Sequence, residues 1–453
     1  MKRIYMASLF ALIIITGIAI TTYVRIRPTD LSELEIEMPD PMIDTCEAMY
    51  DVYNEDQALF QEQDEAGPKI IYEPVLDDNP DEVIDLEEIW ATITDFSQAL
   101  FHKVVTGEEE NIILSPLAVY YALAILALGV GGDIAYEISA VLGYEPWVAA
   151  REIRQRAEFL ADTSRNTALC MLASAWINDA HTITPEFYQA IRPYFNSELF
   201  TRDFADATTF NEMNNWFYNR TEGLFKGSID KICPEDIIIL LNALHISIEW
   251  HRFTMNYRTE WRRFFYPESG QAYEIEFLNS ELVNFPASRT NYYEAILLPF
   301  INGGLWLFLV RPVDGTAVGD FVVEKDIFAI LSSLEASPGG AIVSIPNLEK
   351  ESSIDISNSL ATMGFTALFG HYIPDFTGIT TDGADIYISA VRQSSRFTLN
   401  RYGVNVPFAE RGPFLLREPW EDTLILEFNT PFVYAIVDME TGIPFLMGVV
   451  DNP

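Results

Sequence analysis

The run from Gly403 to Thr423 constrains this chain more than any other stretch. In front of it stands DIYISAVRQSSRFTLNRY, dense in β-branched and aromatic residues. Behind it LILEFNTPFVYAIVDMETGIPFLMGVVDNP gives two apolar strand signals around an METG turn. Between them VNVPFAERGPFLLREPWEDT carries three prolines and no helical period. A segment of that length between strong strand signals is too long for an ordinary hairpin loop. Inside a compact domain such loops are functional or disordered. Phe408, Phe414, Leu415, Leu416 and Trp420 are poor residues for a solvated linker, so the loop is the expected working end of the molecule.

Five blocks carry a family resemblance. They are NIILSPLAVYYALAILALGVGGDIAYEI, LLNALHISIEW, NLEKESSIDISNSLATMGFTALF, PDFTGIT ahead of DIYISAVRQ, and the C-terminal block with Phe428, Asn429, Pro431 and Phe432 at its heart. In this order they resemble the serpins, known mainly as suicide inhibitors of serine proteases, over about residues 88–453. The resemblance implies an α+β fold with three β-sheets, about nine helices and an exposed reactive-centre loop. In that mechanism a protease attacks the loop as substrate. The cut loop then inserts as an added strand into the middle of a sheet, and the acylated protease is dragged away.

Carried onto this sequence, the glycine before the hinge matches Gly403. The hinge then reads Gly403, Val404, Asn405, Val406, Pro407, Phe408, Ala409, Glu410. The usual loop length places the bait at Arg417, followed by Glu418, and an arginine suits a trypsin-like serine protease. Counting back from Asn429 lands near Trp420 instead, because the loop is about three residues longer than usual. Ser115, Asn242 and Trp250 match the residues that control sheet opening; Gln393 stands in the place of a histidine and Ala118 in that of a second serine.

The hinge departs from the family run of small residues. Proline cannot donate to a ladder, so Pro407 and Pro413 fit a central strand badly. Each would orphan a partner carbonyl, at about 1–3 kcal/mol if buried. At period two Glu410 shares a face with Val404, Val406 and Phe408, and Arg401 stands where the family has Glu. These departures keep open a non-inhibitory serpin with a binding or structural role.

The N-terminal end reads differently. Residues 4–24 are apolar, flanked by Lys2 and Arg3 before and by Arg25 and Arg27 after. That length crosses a hydrocarbon core as a helix, so residues 1–28 are expected as a signal-anchor or a cleaved signal peptide. Either route puts the rest outside the cytoplasm, membrane-anchored or secreted. Between Thr29 and Glu88 the only basic residue is Lys69 among many acids and five prolines. Residues 29–87 are expected as a self-repelling extended stalk, with an acidic docking arm as the sharper alternative. A net charge of −39 repels nucleic acid, which is not expected as a partner. A monomer is expected.

No HExxH, GxSxG or Walker pattern occurs, and five scattered histidines form no ligand set. Neither enzyme activity nor a cofactor or metal is expected. Cys46, Cys170 and Cys233 have no CxxC spacing; a Cys170–Cys233 disulfide, buried thiols and a Cys46 link between chains all stay open. Gly129, Gly131 and Gly132 mimic a phosphate loop but follow a helix, and a helix stop explains them. Helices are expected at Leu86–Val105, after Ser115, at Trp147–Asp162, Thr184–Phe195 and Thr208–Thr221. A central strand is expected at Asp236–Ile248, and a hairpin joins Ala295–Phe300 to Leu305–Val310.

Overall fold

The structure is a computed structural model. It describes residues 11–15, 85–106, 111–143, 146–160, 167–192, 199–220, 238–251, 254–280, 284–301, 303–337, 339–369, 376–381, 391–406 and 422–453, with Ile232, Pro234 and Asp236 between. The stalk up to residue 84, the three cysteine side chains, and Pro407, Phe408, Ala409, Glu410, Pro413, Arg417 and Glu418 lie outside the described residues; residues 85–87, expected in the stalk, belong to the first helix and its cap.

In chain order the strand β1 (Ala11–Ile15) comes first, then α1 (Leu86–Val105), β2 (Ile112–Leu114) and α2 (Pro116–Leu126). There follow α3 (Gly132–Leu142), α4 (Pro146–Leu160), β3 (Thr167–Asn178), α5 (Pro185–Ile191), β4 (Leu199–Arg202) and α6 (Ala207–Arg220). The middle holds β5 (Ile238–Glu249), β6 (Asn256–Phe265), β7 (Tyr273–Asn279), β8 (Ala287–Arg289), β9 (Tyr293–Pro299) and β10 (Leu305–Pro312). Next are α7 (Val318–Glu324), α8 (Ile327–Ser332), β11 (Ala341–Pro346), β12 (Leu348–Asp355) and α9 (Ser357–Thr362). The chain closes with β13 (Arg392–Asn400), β14 (Gly403–Val404), β15 (Leu424–Glu427), β16 (Phe432–Asp438) and β17 (Pro444–Val450). The helices expected from sequence are present within a few residues; α5 stops at Ile191, short of the expected Phe195.

The expected α+β architecture is present, and the described strands form three sheets. A seven-stranded sheet runs β12-β13-β14-β5-β3-β4, with β1 also on β5; a six-stranded sheet runs β2-β17-β16-β10-β9-β8; a four-stranded sheet runs β15-β11-β7-β6. The six-stranded sheet is the core. Every residue of β16 and β17 is buried, as both apolar runs around the METG turn require. The helix α2 sits beside it, packed on α1, α4 and β17, and all eleven of its residues are buried. A helix apolar on every face has no other stable place.

Helix α1 opens the domain. The Asp85 side chain accepts from the backbone N–H of Glu87 and Glu88, at 3.1 and 3.3 Å, and caps it. Glu87 and Glu88 lie in the first turn and His102 and Lys103 in the last, matching the helix dipole. Ile93, Phe96, Leu100 and Val104 form the buried stripe.

The apolar N-terminal run departs from the helix expected for residues 4–24. Its described part is a strand. Ile13, Ile14 and Ile15 are β-branched and suit a strand, and β5 offers an open edge. No described helix is long and apolar enough to cross a membrane.

Candidate functional site

The site is the middle of the seven-stranded sheet. Strands β5 and β13 are not paired with each other; what lies between them is β14 above and β1 below. After β13 the chain turns at Arg401 and Tyr402 and re-enters as β14. Leu399 then faces Val404 and Asn400 faces Gly403 on one side, while Gly403 faces Glu249 and Val404 faces Ile248 on the other. The first two hinge residues are therefore already a central strand. Gly403 is required there, because a Cβ would run into the carbonyl oxygen of Ile248. Val404 and Val406 are buried, so the sequence supplies apolar side chains where the hinge enters the core.

Two groups hold this turn. Trp250, fully buried, stacks on Phe300 with ring centroids 4.9 Å apart. Its backbone N–H donates to Tyr402 O at 3.0 Å and its indole Nε1 donates to Asn400 O at 2.9 Å. Asn400 works from the other side. Its Oδ1 accepts from the N–H of Tyr402 and Gly403, at 2.8 and 3.3 Å, and its Nδ2 donates to Val406 O at 2.7 Å. Asn400 had not been singled out from sequence; the signal was there in NRYGVN, where asparagines flank the hinge glycine.

Strand β1 occupies the lower part of the opening and runs parallel to β5, with Ala11 opposite Ile238 and Ile15 opposite Asn242. Strand β14 runs antiparallel to β5. Continuing its register downward would set Glu410 against Asn242 and Phe414 against Ile238. The N-terminal segment thus takes the backbone positions that the loop would take on full insertion.

The residues expected to control sheet opening fall into two places. Ser115 and Gln393 are together and fully buried. The Ser115 N–H donates to Gln393 Oε1 at 3.2 Å, and Gln393 Nε2 donates back to Ser115 O at 3.4 Å. The Ser115 hydroxyl donates to Phe445 O at 2.9 Å, so Ser115 occupies the N-cap position of α2 without capping it through its side chain. Gln393 reaches this point because β13 alternates: Gln393, Ser395, Phe397 and Leu399 all face inward. Phe397 lies flat on Tyr434 at 4.5 Å, and burial pushes the Tyr434 hydroxyl far above its ordinary range. Trp250 belongs instead to the hinge turn, and the Asn242 backbone lies between Ala173 on β3 and Ile15 on β1. The four residues are one set in the sequence and two stations along one opening in the fold.

The described chain ends at Val406 beside this sheet and resumes at Asp422, at the four-stranded sheet. There Leu424 N–H donates to Gly340 O at 3.0 Å, Thr423 Oγ1 donates to Gly339 O at 2.9 Å, and β15 lies parallel to β11. The FNTPF block just after it is a corner. Phe428 and Phe432 meet edge to face, and Thr430 Oγ1 accepts from Arg311, which also pairs with buried Glu294. Among the described residues no His, Cys, Asp and Glu side chains form a cluster able to hold a metal ion.

A three-sheet α+β domain whose largest sheet takes Gly403 and Val404 between β13 and β5 is the architecture that the relatives below identify. The chain belongs to the serpin (serine protease inhibitor) family, whose model matches residues 91–453. It is 25% identical to mouse neuroserpin over 392 residues, covering 80% of this chain and 91% of that protein. It is 24% identical to the leukocyte elastase inhibitor of Xenopus tropicalis, covering 81% of this chain and 100% of that protein. Among solved structures, native tengpin, a thermophilic serpin, matches with a TM-score of 0.73 at 22% identity, over 82% of this chain and 96% of tengpin.

Proposed function

We propose that the chain inhibits serine proteases by loop insertion, offering Arg417, followed by Glu418, to a trypsin-like enzyme. The hinge carries this reading. Gly403 and Val404 already stand between β13 and β5, so the path for a longer inserted strand is begun in the resting fold. Neuroserpin and the leukocyte elastase inhibitor, with which the chain aligns over nearly their whole length, support the inhibitory class. The expected product with trypsin is a one-to-one complex that survives SDS, absent in Arg417→Ala. Clean cleavage at Arg417 with no complex would remove the inhibitory reading.

The second reading is a non-inhibitory binding role. It is favoured by the exit of the chain from the sheet after Val404 and by β1 in the lower opening. Pro407, Phe408, Glu410 and Pro413 add to it.

The same proposal sets the domain outside the cytoplasm, as a monomer on an acidic stalk of residues 29–87. Residues 4–24 serve as a membrane anchor or a cleaved leader. Either fate withdraws Ala11–Ile15 from β5 and clears the positions that Glu410–Phe414 take on insertion. Recovery of full-length protein in the membrane pellet after a salt wash supports the anchor. A mature N-terminus near Ile20 in the medium supports the leader.

A further inference from the structure

Strand β14 stops after two residues although the opening continues below it. At Asn405 the backbone enters the left-handed region, φ +51°, which asparagine tolerates better than most side chains. The Asn405 N–H still donates to Thr398 O at 3.0 Å, as a continuing strand would. In a continuing antiparallel strand two bonds come next. The Thr398 N–H would donate to the Asn405 carbonyl, and the Val406 N–H would donate to the Ile246 carbonyl. Here one side chain makes both: Thr398 N–H donates to Asn405 Oδ1 at 3.2 Å, and Asn405 Nδ2 donates to Ile246 O at 2.9 Å. A carboxamide carries the same carbonyl and N–H as a peptide unit, so the substitution is group for group.

We infer that the Asn405 side chain is a surrogate peptide unit, bridging β13 and β5 and latching the resting loop at an insertion depth of two residues. The two carbonyls that follow Val404 find side-chain donors. Asn405 O accepts from Ser247 Oγ at 3.3 Å, and Val406 O accepts from Asn400 Nδ2 at 2.7 Å. For insertion to pass Val404, Asn405 must return to an extended backbone and its carboxamide must withdraw from between the strands. Thr398 N–H and Ile246 O then receive the Asn405 carbonyl and the Val406 N–H. Two ladder bonds are exchanged for two, but the old pair breaks before the new pair forms. The latch therefore governs the rate and resting depth of insertion more than its final stability. It holds whether or not the chain traps a protease, so it stands or falls separately from the inhibitory reading.

Backbone hydrogen exchange at Thr398 tests it in the full chain. Asn405→Gly keeps the left-handed backbone and deletes the carboxamide. Asn405→Asp keeps an acceptor, loses the donor, and turns a carboxylate towards the Ile246 carbonyl, which drives the side chain out of the opening. In both variants the Thr398 amide should exchange about tenfold faster or more, the loss of one hydrogen bond. The amides of Ala435 and Ile436 on β16 report that the fold is intact and should not change. Wild-type protection at Thr398 in Asn405→Gly, with β16 still protected, overturns the latch. Should that variant lose β16 protection, Asn405→Asp decides alone, and unchanged exchange at Thr398 in it overturns the latch equally.

Discussion

In the six-stranded sheet, β16 pairs with β10 over six residues and with β17 over six more, and both C-terminal strands are buried along their whole length. In the seven-stranded sheet, β5 and β13 share no ladder. They are bridged by two residues of the hinge, by one asparagine side chain and, on the β5 side, by five residues from the N-terminal run. The first sheet satisfies its backbone with its own neighbours, with one register shift between Ile436 and Val437 on β16. The second takes its partners in the middle from the two residues after the Arg401–Tyr402 turn and from the N-terminal run. A buried strand edge cannot stay unpaired, so an opening in a sheet selects occupants, and the identity of the occupant becomes the state of the molecule.

The contrast predicts where the fold breaks. The largest loss should come at the closed sheet. Asp438, fully buried at the end of β16, accepts from Arg156 Nε and Nη2 at 2.7 and 2.8 Å and from Thr441 Oγ1 at 2.6 Å. Arg156→Ala leaves that carboxylate without its counter-charge, and chemical denaturation should show a loss of about 3–5 kcal/mol. The open sheet should yield less. Gln393→Ala orphans the buried backbone N–H of Ser115, whose carbonyl still accepts from the N–H of Ala118 and Val119, and should cost about 1–3 kcal/mol. It should also loosen β13 relative to α2, visible as faster exchange at the Ser115 amide.

Deleting residues 1–24 sharpens the comparison from the other side. The closed sheet should not notice it, and melting should shift little, because β1 contributes five residues. Protease trapping should rise, since the lower positions along β5 become free. Unchanged trapping would show that β1 does not compete with the loop. The smallest effect concerns pH. Burial lowers the pKa of His102, with Asp326 opposing and Lys103 adding to the shift. Its folded pKa lies below the unfolded value, so the unfolded state binds the proton more readily. The neutral imidazole's contribution is fully present above about pH 6.5 and fades as pH falls through that value towards the folded pKa. His102→Gln should flatten the slope of stability against pH in that window.

Much of this was legible in the sequence. The all-apolar LAVYYALAIL, the twin strands around METG and the Asp236–Ile248 run are apolar-pattern signals, and each became an element in the expected place, the first two buried throughout. Gly403 was legible as the hinge glycine only through the family resemblance, and the fold supplies the reason: a Cβ there would run into the Ile248 carbonyl. The stations along the opening were not. Gln393 and Ser115 are 278 residues apart, and nothing local says that an amide on β13 will clasp the backbone ahead of α2. Asn405 was named as one hinge residue among eight. That its side chain would replace its own peptide group depends on two strands approaching from opposite sides, which local sequence does not encode. The N-terminal run admits two readings for a physical reason: twenty apolar residues satisfy a membrane, but three consecutive isoleucines also satisfy an open strand edge.

The most direct test of the account is the melting temperature of the chain before and after a single cut by trypsin in the loop, made without residues 1–24. The opening between β13 and β5 is held to be a receptive slot. Cleavage should raise the melting temperature, because about ten new ladder bonds would add roughly 5 kcal/mol or more. The rise should be larger when Pro407, Phe408, Glu410 and Pro413 are replaced by Ala, Ala, Thr and Ala. Unchanged melting in both proteins, with the cut confirmed at Arg417, would contradict it.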